Sequence, residues 1–68
     1  MNDQMKANVE LIYSDRTWLR IMEAVSLGKI SIDDPSVQAW ANYRIALRPI
    51  ANGDGGALPE KPAYVPVA

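Results

Sequence analysis

Apolar positions between Pro35 and Pro49 recur every three to four residues. The apolar residues at this spacing are Val37, Trp40, Ala41 and Leu47, and Arg44 shares the same spacing. This spacing places them on one face of an α-helix. Asp33 or Asp34 can cap the helix, and a proline is tolerated in the first turn. Because an interior proline removes a backbone hydrogen bond, Pro49 is predicted to end the helix.

A second apolar stripe precedes this helix, at Trp18, Leu19, Met22 and Val25. Gly28 followed by a lysine is a helix-stop pattern, because glycine readily adopts the left-handed backbone that ends many helices. Two starts are open for this helix. Ser14 can cap it, in which case residues 9–13 alternate like a short strand. Leu11 and Ile12, however, extend the stripe backward by a turn, and we favour one longer helix.

The connection between the two helices is short, so they are expected to fold back as an antiparallel hairpin. From Pro49 onward the composition changes, since this stretch holds three of the four glycines and four of the five prolines. The predicted fold is all-α, with a small antiparallel helical hairpin over residues 1–50. A flexible loop and an extended Pro/Gly-rich tail follow over residues 51–68. So small a hairpin buries little apolar surface, and self-association or a partner is expected to complete it.

The amino-acid composition excludes several classes of function, although it says less about the fold. The chain has 68 residues, a formal net charge of −1, and no cysteine or histidine. Disulfides, thiolate nucleophiles and the commonest metal ligand are therefore excluded, and no metal or cofactor is predicted. A near-neutral chain is a poor match for nucleic acid, which is held by a basic excess. Neither a signal peptide nor a membrane span is recognisable, so the expected location is the cytoplasm where the chain is made.

No arrangement of residues predicts an enzyme. Asp33 and Asp34 are adjacent and do not converge as an acid/base pair, so they are better interpreted as caps. The glycines of residues 53–56 follow no strand and open no helix, as a phosphate-binding loop would require. A binding or interaction protein is the expected class.

The residues most typical of protein interfaces cluster in the second helix: Trp40, Tyr43, Arg44, Leu47 and Arg48. Trp, Tyr and Arg contribute much of the binding energy at interfaces, because they bury large areas and also make polar contacts. The simpler interpretation places Trp40 and Leu47 in the core of the hairpin. Tyr43 and Arg48 lie toward opposite edges of the stripe. At these edges a side chain can face either a partner or the core, and the pattern does not distinguish the two.

Two charged residues fall on the apolar stripes, Arg44 in the second helix and Asp15 in the first. An unpaired buried charge is costly, so the two are predicted to pair across the hairpin. The competing interpretation takes Asp15 as a first-turn acid stabilised by the helix dipole.

The tail carries the remaining candidate binding residues: Pro59, Lys61, Pro62 and Tyr64. Prolines restrict this segment toward polyproline II, so it would dock on another protein with little further loss of entropy. The alternative is a disordered terminus, the more frequent fate of such tails.

The stretch Trp40–Ile50, followed by Leu58–Pro62, resembles the tail fibre assembly chaperones of tailed bacteriophages. In that family a W-x-x-Y-R-x-x-L-R-x-I helix precedes, after a Gly/Pro loop, a terminal P-x-K-P segment. Residues 15–19 match the upstream helix of the family loosely. The D-W-x-x-L-P-D stretch usual between the helices, and the tryptophan usual before the P-x-K-P segment, are not recognisable here.

The resemblance implies a small chaperone that binds the C-terminal, receptor-binding part of a tail fibre protein in the host cytoplasm and caps it during folding and trimerisation. It also allows a chaperone that stays in the virion tail. Two other classes remain open from the residues: a small phage-encoded inhibitor of a host protein, and a minor structural subunit of the tail.

Overall fold

A computed structural model of the chain describes residues 3–66. In this range the chain forms two helices and no strand: α1 spans Asp3–Ser26 and α2 spans Pro35–Ala51. The helices pack against each other. Their contacts pair the start of α1 with the end of α2, as in the hydrogen bond from Gln4 to Ala51, so the two run antiparallel. The predicted all-α hairpin is confirmed.

The longer version of α1 is confirmed, and the helix extends back to Asp3. Residues 9–13 are helical, so the short strand is wrong. Ser14 caps nothing. It is buried in the middle of α1, where its hydroxyl donates to the Leu11 carbonyl at 3.0 Å. The small side chains of Ala7 and Ser14 lie seven residues apart on the buried face, and they let α2 approach closely.

Of the two candidates, Asp33 and Asp34, the residue that forms the N-terminal cap of α2 is Asp34. Its side chain accepts a hydrogen bond from the Ser36 backbone N–H at 2.9 Å, and the Ser36 hydroxyl also donates to it. These bonds, the hydroxyl's first, lower the pKa of the Asp34 carboxyl from its ordinary value. Pro35 takes the first helical position, where its missing N–H costs no hydrogen bond.

Both helices end at a glycine with positive φ, and the predicted stop at Gly28 is confirmed. Gly28 has φ 73°, and the following Lys29 N–H donates to the Ala24 carbonyl at 2.9 Å. At the end of α2, Gly53 has φ 91°, and the following Asp54 N–H donates to the Pro49 carbonyl at 2.9 Å. Each bond closes a Schellman motif, which satisfies carbonyls that the helix leaves without partners.

The prediction that Pro49 ends α2 is wrong, because the helix continues to Ala51. In the last turn a proline removes only one hydrogen bond, and the residues after it still find partners. The Asn52 N–H donates to the Arg48 carbonyl at 2.9 Å. The side-chain amides of Gln4 and Asn8 reach the Ala51 carbonyl from α1, at 3.3 and 3.4 Å. Contacts with α1 therefore support the turn that Pro49 weakens.

The core lies along the seam between the helices. Its buried apolar residues are Ala7, Ile21, Ala24, Val37, Trp40, Tyr43, Leu47 and Ile50. Leu58 from the tail packs against this cluster. Neither helix in the described range is apolar enough over a sufficient length to cross a membrane.

Candidate protein-binding site

The most distinctive residues of α2 point into the core. Trp40 and Leu47 are 1% exposed and Tyr43 is 5% exposed. The rings of Trp40 and Tyr43 meet edge to face, with centroids 5.9 Å apart and planes at 86°, a favourable arrangement for aromatic pairs. Trp40 and Leu47 thus lie where the simpler interpretation placed them, and Tyr43 joins them. None of the three side chains is presented to solvent.

Residues 57–66, here called the strap, return to α2. The Trp40 indole Nε1–H donates to the backbone carbonyl of Tyr64 at 2.9 Å, across 24 residues of chain. Pro59 and Pro62 are half-buried, while Lys61 and the Tyr64 side chain are exposed. Trp40 therefore positions the strap through its backbone, and the side chains of Lys61 and Tyr64 remain available at the surface.

Tyr43 is tied to α1 on the same side of the hairpin. Its hydroxyl donates to Glu10 Oε2 at 3.0 Å. Burial raises the pKa of the Tyr43 hydroxyl to about 12, and the hydrogen bond and negative charge of Glu10 act in the same direction. A phenol held neutral in this way is a stable hydrogen-bond donor. Its role here is to join the two helices.

A groove of about 400 Å³ opens between α1, α2 and the strap. We call it the strap groove. It is lined by Lys6, Val9, Glu10, Tyr43, Leu47, Leu58, Pro59 and Lys61. A shallower hollow beside it is formed by Ala39, Asn42, Tyr43 and residues 59–63. The residues that line the strap groove combine apolar side chains with charged side chains of both signs.

Arg44 lies on the other flank of α2, about 100° around the helix from its neighbour Tyr43. Its guanidinium forms an ion pair with Asp15 at 2.8 Å, and it donates to the Ser14 hydroxyl at 2.6 Å and the Leu11 carbonyl at 3.3 Å. The predicted pairing of Arg44 with Asp15 is confirmed. The Arg44 side chain is 12% exposed and that of Asp15 is 57% exposed, so the carboxylate stays hydrated. Arg44 is occupied by contacts within the chain.

Arg48 differs from Arg44 although it lies one turn further along the same flank. Its side chain is exposed, and its guanidinium forms no hydrogen bond or ion pair with residues 3–66. The predicted binding residues are therefore divided between two flanks. The strap flank holds Trp40, Tyr43, Leu47, Pro59, Lys61, Pro62 and Tyr64, and the other flank holds Arg44 and Arg48.

Sequence reasoning missed the α1 contribution to the strap groove. Val9 and Glu10 were not predicted as site residues, yet Val9 lines the groove and Glu10 receives the Tyr43 hydrogen bond. Their only signal was spacing, since Lys6, Val9 and Glu10 share one face once α1 is known to begin at Asp3.

Comparison with known proteins found no relative of this chain. No protein-family model, curated protein or solved structure matches the chain.

Proposed function

We propose that the chain is a tail fibre assembly chaperone of a tailed bacteriophage. It would bind the C-terminal, receptor-binding part of a fibre protein during folding and trimerisation. One observation carries the proposal: the two separated parts of the motif that resembles this family lie against each other. Pro59 and Lys61, from the P-x-K-P segment, line the strap groove together with Tyr43 and Leu47 from the helix motif. A motif whose halves meet at one surface is what a binding site requires.

The buried and exposed members of the motif take different roles in this proposal. Trp40 and Tyr43 hold the scaffold, because one binds the strap and the other binds α1. The contact with the fibre falls to exposed side chains. On the strap these are Lys61, Tyr64 at 67% exposure and Val65 at 46%. Their chemistry combines a cation, an aromatic ring and an apolar group, which suits a surface with apolar and acidic parts.

Capping is the mechanism that suits such a surface. A fibre that has not yet trimerised exposes apolar side chains and unpaired strand edges, and both promote aggregation. The strap presents Tyr64 and Val65 to the apolar part of the fibre, while Lys61 meets carboxylates. Because prolines already restrict the strap, little further ordering is lost on contact. The chaperone acts in the host cytoplasm, and a complex that survives assembly would remain in the virion tail.

The test is co-expression of the full chain with the C-terminal part of a candidate fibre protein. Size-exclusion chromatography with light scattering then gives the mass of the product. We expect a soluble fibre trimer only when the chain is present, and the mass tells whether the chain has left. A fibre that trimerises equally well alone, with no complex formed, contradicts the proposal and directs attention to a host target.

A matched pair of variants assigns the effect to the strap. Tyr64 and Tyr13 are almost equally exposed, at 67% and 66%, but Tyr13 lies on α1. Tyr64→Ala keeps the backbone carbonyl that accepts the Trp40 hydrogen bond, so the strap stays attached. We expect Tyr64→Ala to reduce the yield of soluble trimer and Tyr13→Ala to leave it unchanged. Equal losses from the two variants would remove the strap from the proposed contact.

A further inference from the structure

The seam between two packed helices has a groove on each side, and the strap covers only one of them. The other, here called the open groove, is lined by Trp18 from α1 and by Ala41, Arg44, Ile45 and Arg48 from α2. No part of residues 3–66 lies across it as the strap lies across Trp40. Ile45 is 59% exposed at its edge. Tryptophan, isoleucine and arginine side chains thus meet on one accessible face.

Two residues that line this groove, Trp18 and Arg48, have side-chain hydrogen-bond donors that are unused within the described residues. The Trp18 indole N–H donates to no acceptor there, whereas that of Trp40 is bound to the Tyr64 carbonyl at 2.9 Å. The Arg48 guanidinium likewise has no partner in the part of the chain that the structure describes, whereas that of Arg44 is paired with Asp15. Each donor therefore has a counterpart in the same fold whose partner is supplied by the chain. A ligand of this groove would be rich in acceptors.

The charge of the groove defines the ligand further. α2 contains no acidic residue, and the Arg44 charge is offset by Asp15 across the seam. Arg48, which pairs with no acidic group of residues 3–66, is a positive charge beside the exposed side chain of Ile45. If a second copy of the chain bound this face through the same face of its own, the two Arg48 charges would approach each other. An acidic ligand is instead complementary to it.

We propose that the open groove binds a segment of a partner protein in which an apolar side chain adjoins a carboxylate. The apolar side chain packs between Trp18 and Ile45, and the carboxylate accepts hydrogen bonds from Arg48. The Trp18 indole N–H donates to a backbone carbonyl of the segment. This inference goes beyond the proposed function, because it specifies the chemistry of a segment and holds whether that segment belongs to a fibre or to another protein.

The experiment follows the indole N–H signals of the isotope-labelled full chain by two-dimensional NMR. One probe is a synthetic peptide of alternating glutamate and leucine, and its control is a peptide of alternating lysine and leucine. We expect the acidic peptide to shift the Trp18 signal progressively and saturably, and to leave the Trp40 signal in place. Equal shifts from both peptides, or no shift of the Trp18 signal, would overturn the proposal.

Two charge-reversal variants locate the contact. Arg48→Glu removes the free guanidinium, and Arg20→Glu makes the same charge change at an exposed position of α1 outside the groove. Loss of a charge-assisted hydrogen bond predicts at least about a tenfold weaker affinity for the acidic peptide with Arg48→Glu. Arg20→Glu is expected to change the affinity by less than about twofold.

Two results would contradict this assignment. If both variants weaken binding equally, the attraction is one of overall charge and not of the groove. If the Trp18 signal moves with protein concentration before any peptide is added, a second copy occupies the groove and the acidic-segment proposal fails. Retention of the Trp40 signal in every variant shows that the fold is intact.

Discussion

The two flanks of the hairpin seam are formed by the same two helices, but their polar groups differ in whether they have partners within residues 3–66. On the strap flank, the Trp40 indole and the Tyr43 hydroxyl both have partners, and Leu58 covers the core. On the open flank Arg44 is paired, but the donors of Trp18 and Arg48 have no partner among residues 3–66. The difference separates stability from binding: groups with partners in the chain hold the fold together, and groups without them are available to another molecule.

The largest expected effect comes from the two tryptophans. Trp40→Ala removes a fully buried ring and should lower the free energy of unfolding by about 3–5 kcal/mol, enough to unfold much of so small a protein. Trp18→Ala removes a partly exposed ring and should cost clearly less. Urea unfolding followed by circular dichroism measures both. Equal costs would show that the open flank is as much a part of the core as the strap flank.

Deletion of the strap is expected to have the next largest effect. A chain ending at Gly56 loses the contact of Leu58 with the core and the bond from Trp40 to the Tyr64 carbonyl. Together these losses predict about 2–3 kcal/mol of destabilisation and a red shift of tryptophan fluorescence as water reaches Trp40. Tyr64→Ala is the control and should remain within about 0.5 kcal/mol of the parent chain. An unchanged emission spectrum after deletion would place the strap away from Trp40.

The ion pair of the open flank should contribute less than the strap. Arg44→Met removes the bonds to Asp15, Ser14 and Leu11, and we expect a loss of about 1–2 kcal/mol. Asp15→Asn should cost less, because its carboxylate is 57% exposed. A double-mutant cycle of the two is expected to give a coupling energy below about 1 kcal/mol. Unchanged stability of Arg44→Met would mean that the pair does not hold the helices together.

Near neutral pH the smallest effect is a pH dependence on the strap flank, because it develops only in alkaline solution. The pKa of the Tyr43 hydroxyl is raised from its model-compound value of 10.0 to about 12 in the folded chain, so the neutral phenol is the form that the fold favours. The stabilisation is complete below about pH 10 and is lost as the pH rises toward 12. Urea unfolding across this range should show the decline. Glu10→Gln removes the negative charge and should weaken the dependence, while a decline of the same steepness would exclude Glu10 as a cause.

The local features of the fold were predictable because a few neighbouring residues determine them. Gly28 ends α1 through its positive φ. Asp34 caps α2 because its side chain accepts a hydrogen bond from the backbone N–H of Ser36, two residues along the chain. The failure at Pro49 has an equally physical cause. Proline rules describe a helix alone, and here Gln4 and Asn8 reach across from α1 to the last carbonyl of α2.

The candidate site was predicted in part. The resemblance and the interface-prone residue types identified the α2 motif and the strap. Periodicity placed Tyr43 and Arg48 toward opposite edges of the stripe, but it could not tell which side chains face the core and which face a partner. Tyr43 and Arg44 are adjacent in the chain and lie on different flanks, one bound to Glu10 and the other to Asp15. The open groove could not be predicted from the sequence, because Trp18 and Ile45 belong to different helices and come together only when the helices pack.

From the sequence alone it was possible to predict the two helices, the end of α1 at Gly28 and the pairing of Arg44 with Asp15, and to narrow the cap of α2 to Asp33 or Asp34. Each of these follows from local backbone preferences or from the cost of burying one unpaired charge. Three outcomes depend on the tertiary structure: the strap returns to Trp40, Tyr43 joins the core, and Arg48 has no partner within the described part of the chain. Those outcomes depend on contacts between residues far apart in the chain, and such contacts are settled by how the helices and strap fill the space around the seam rather than by any short pattern along it.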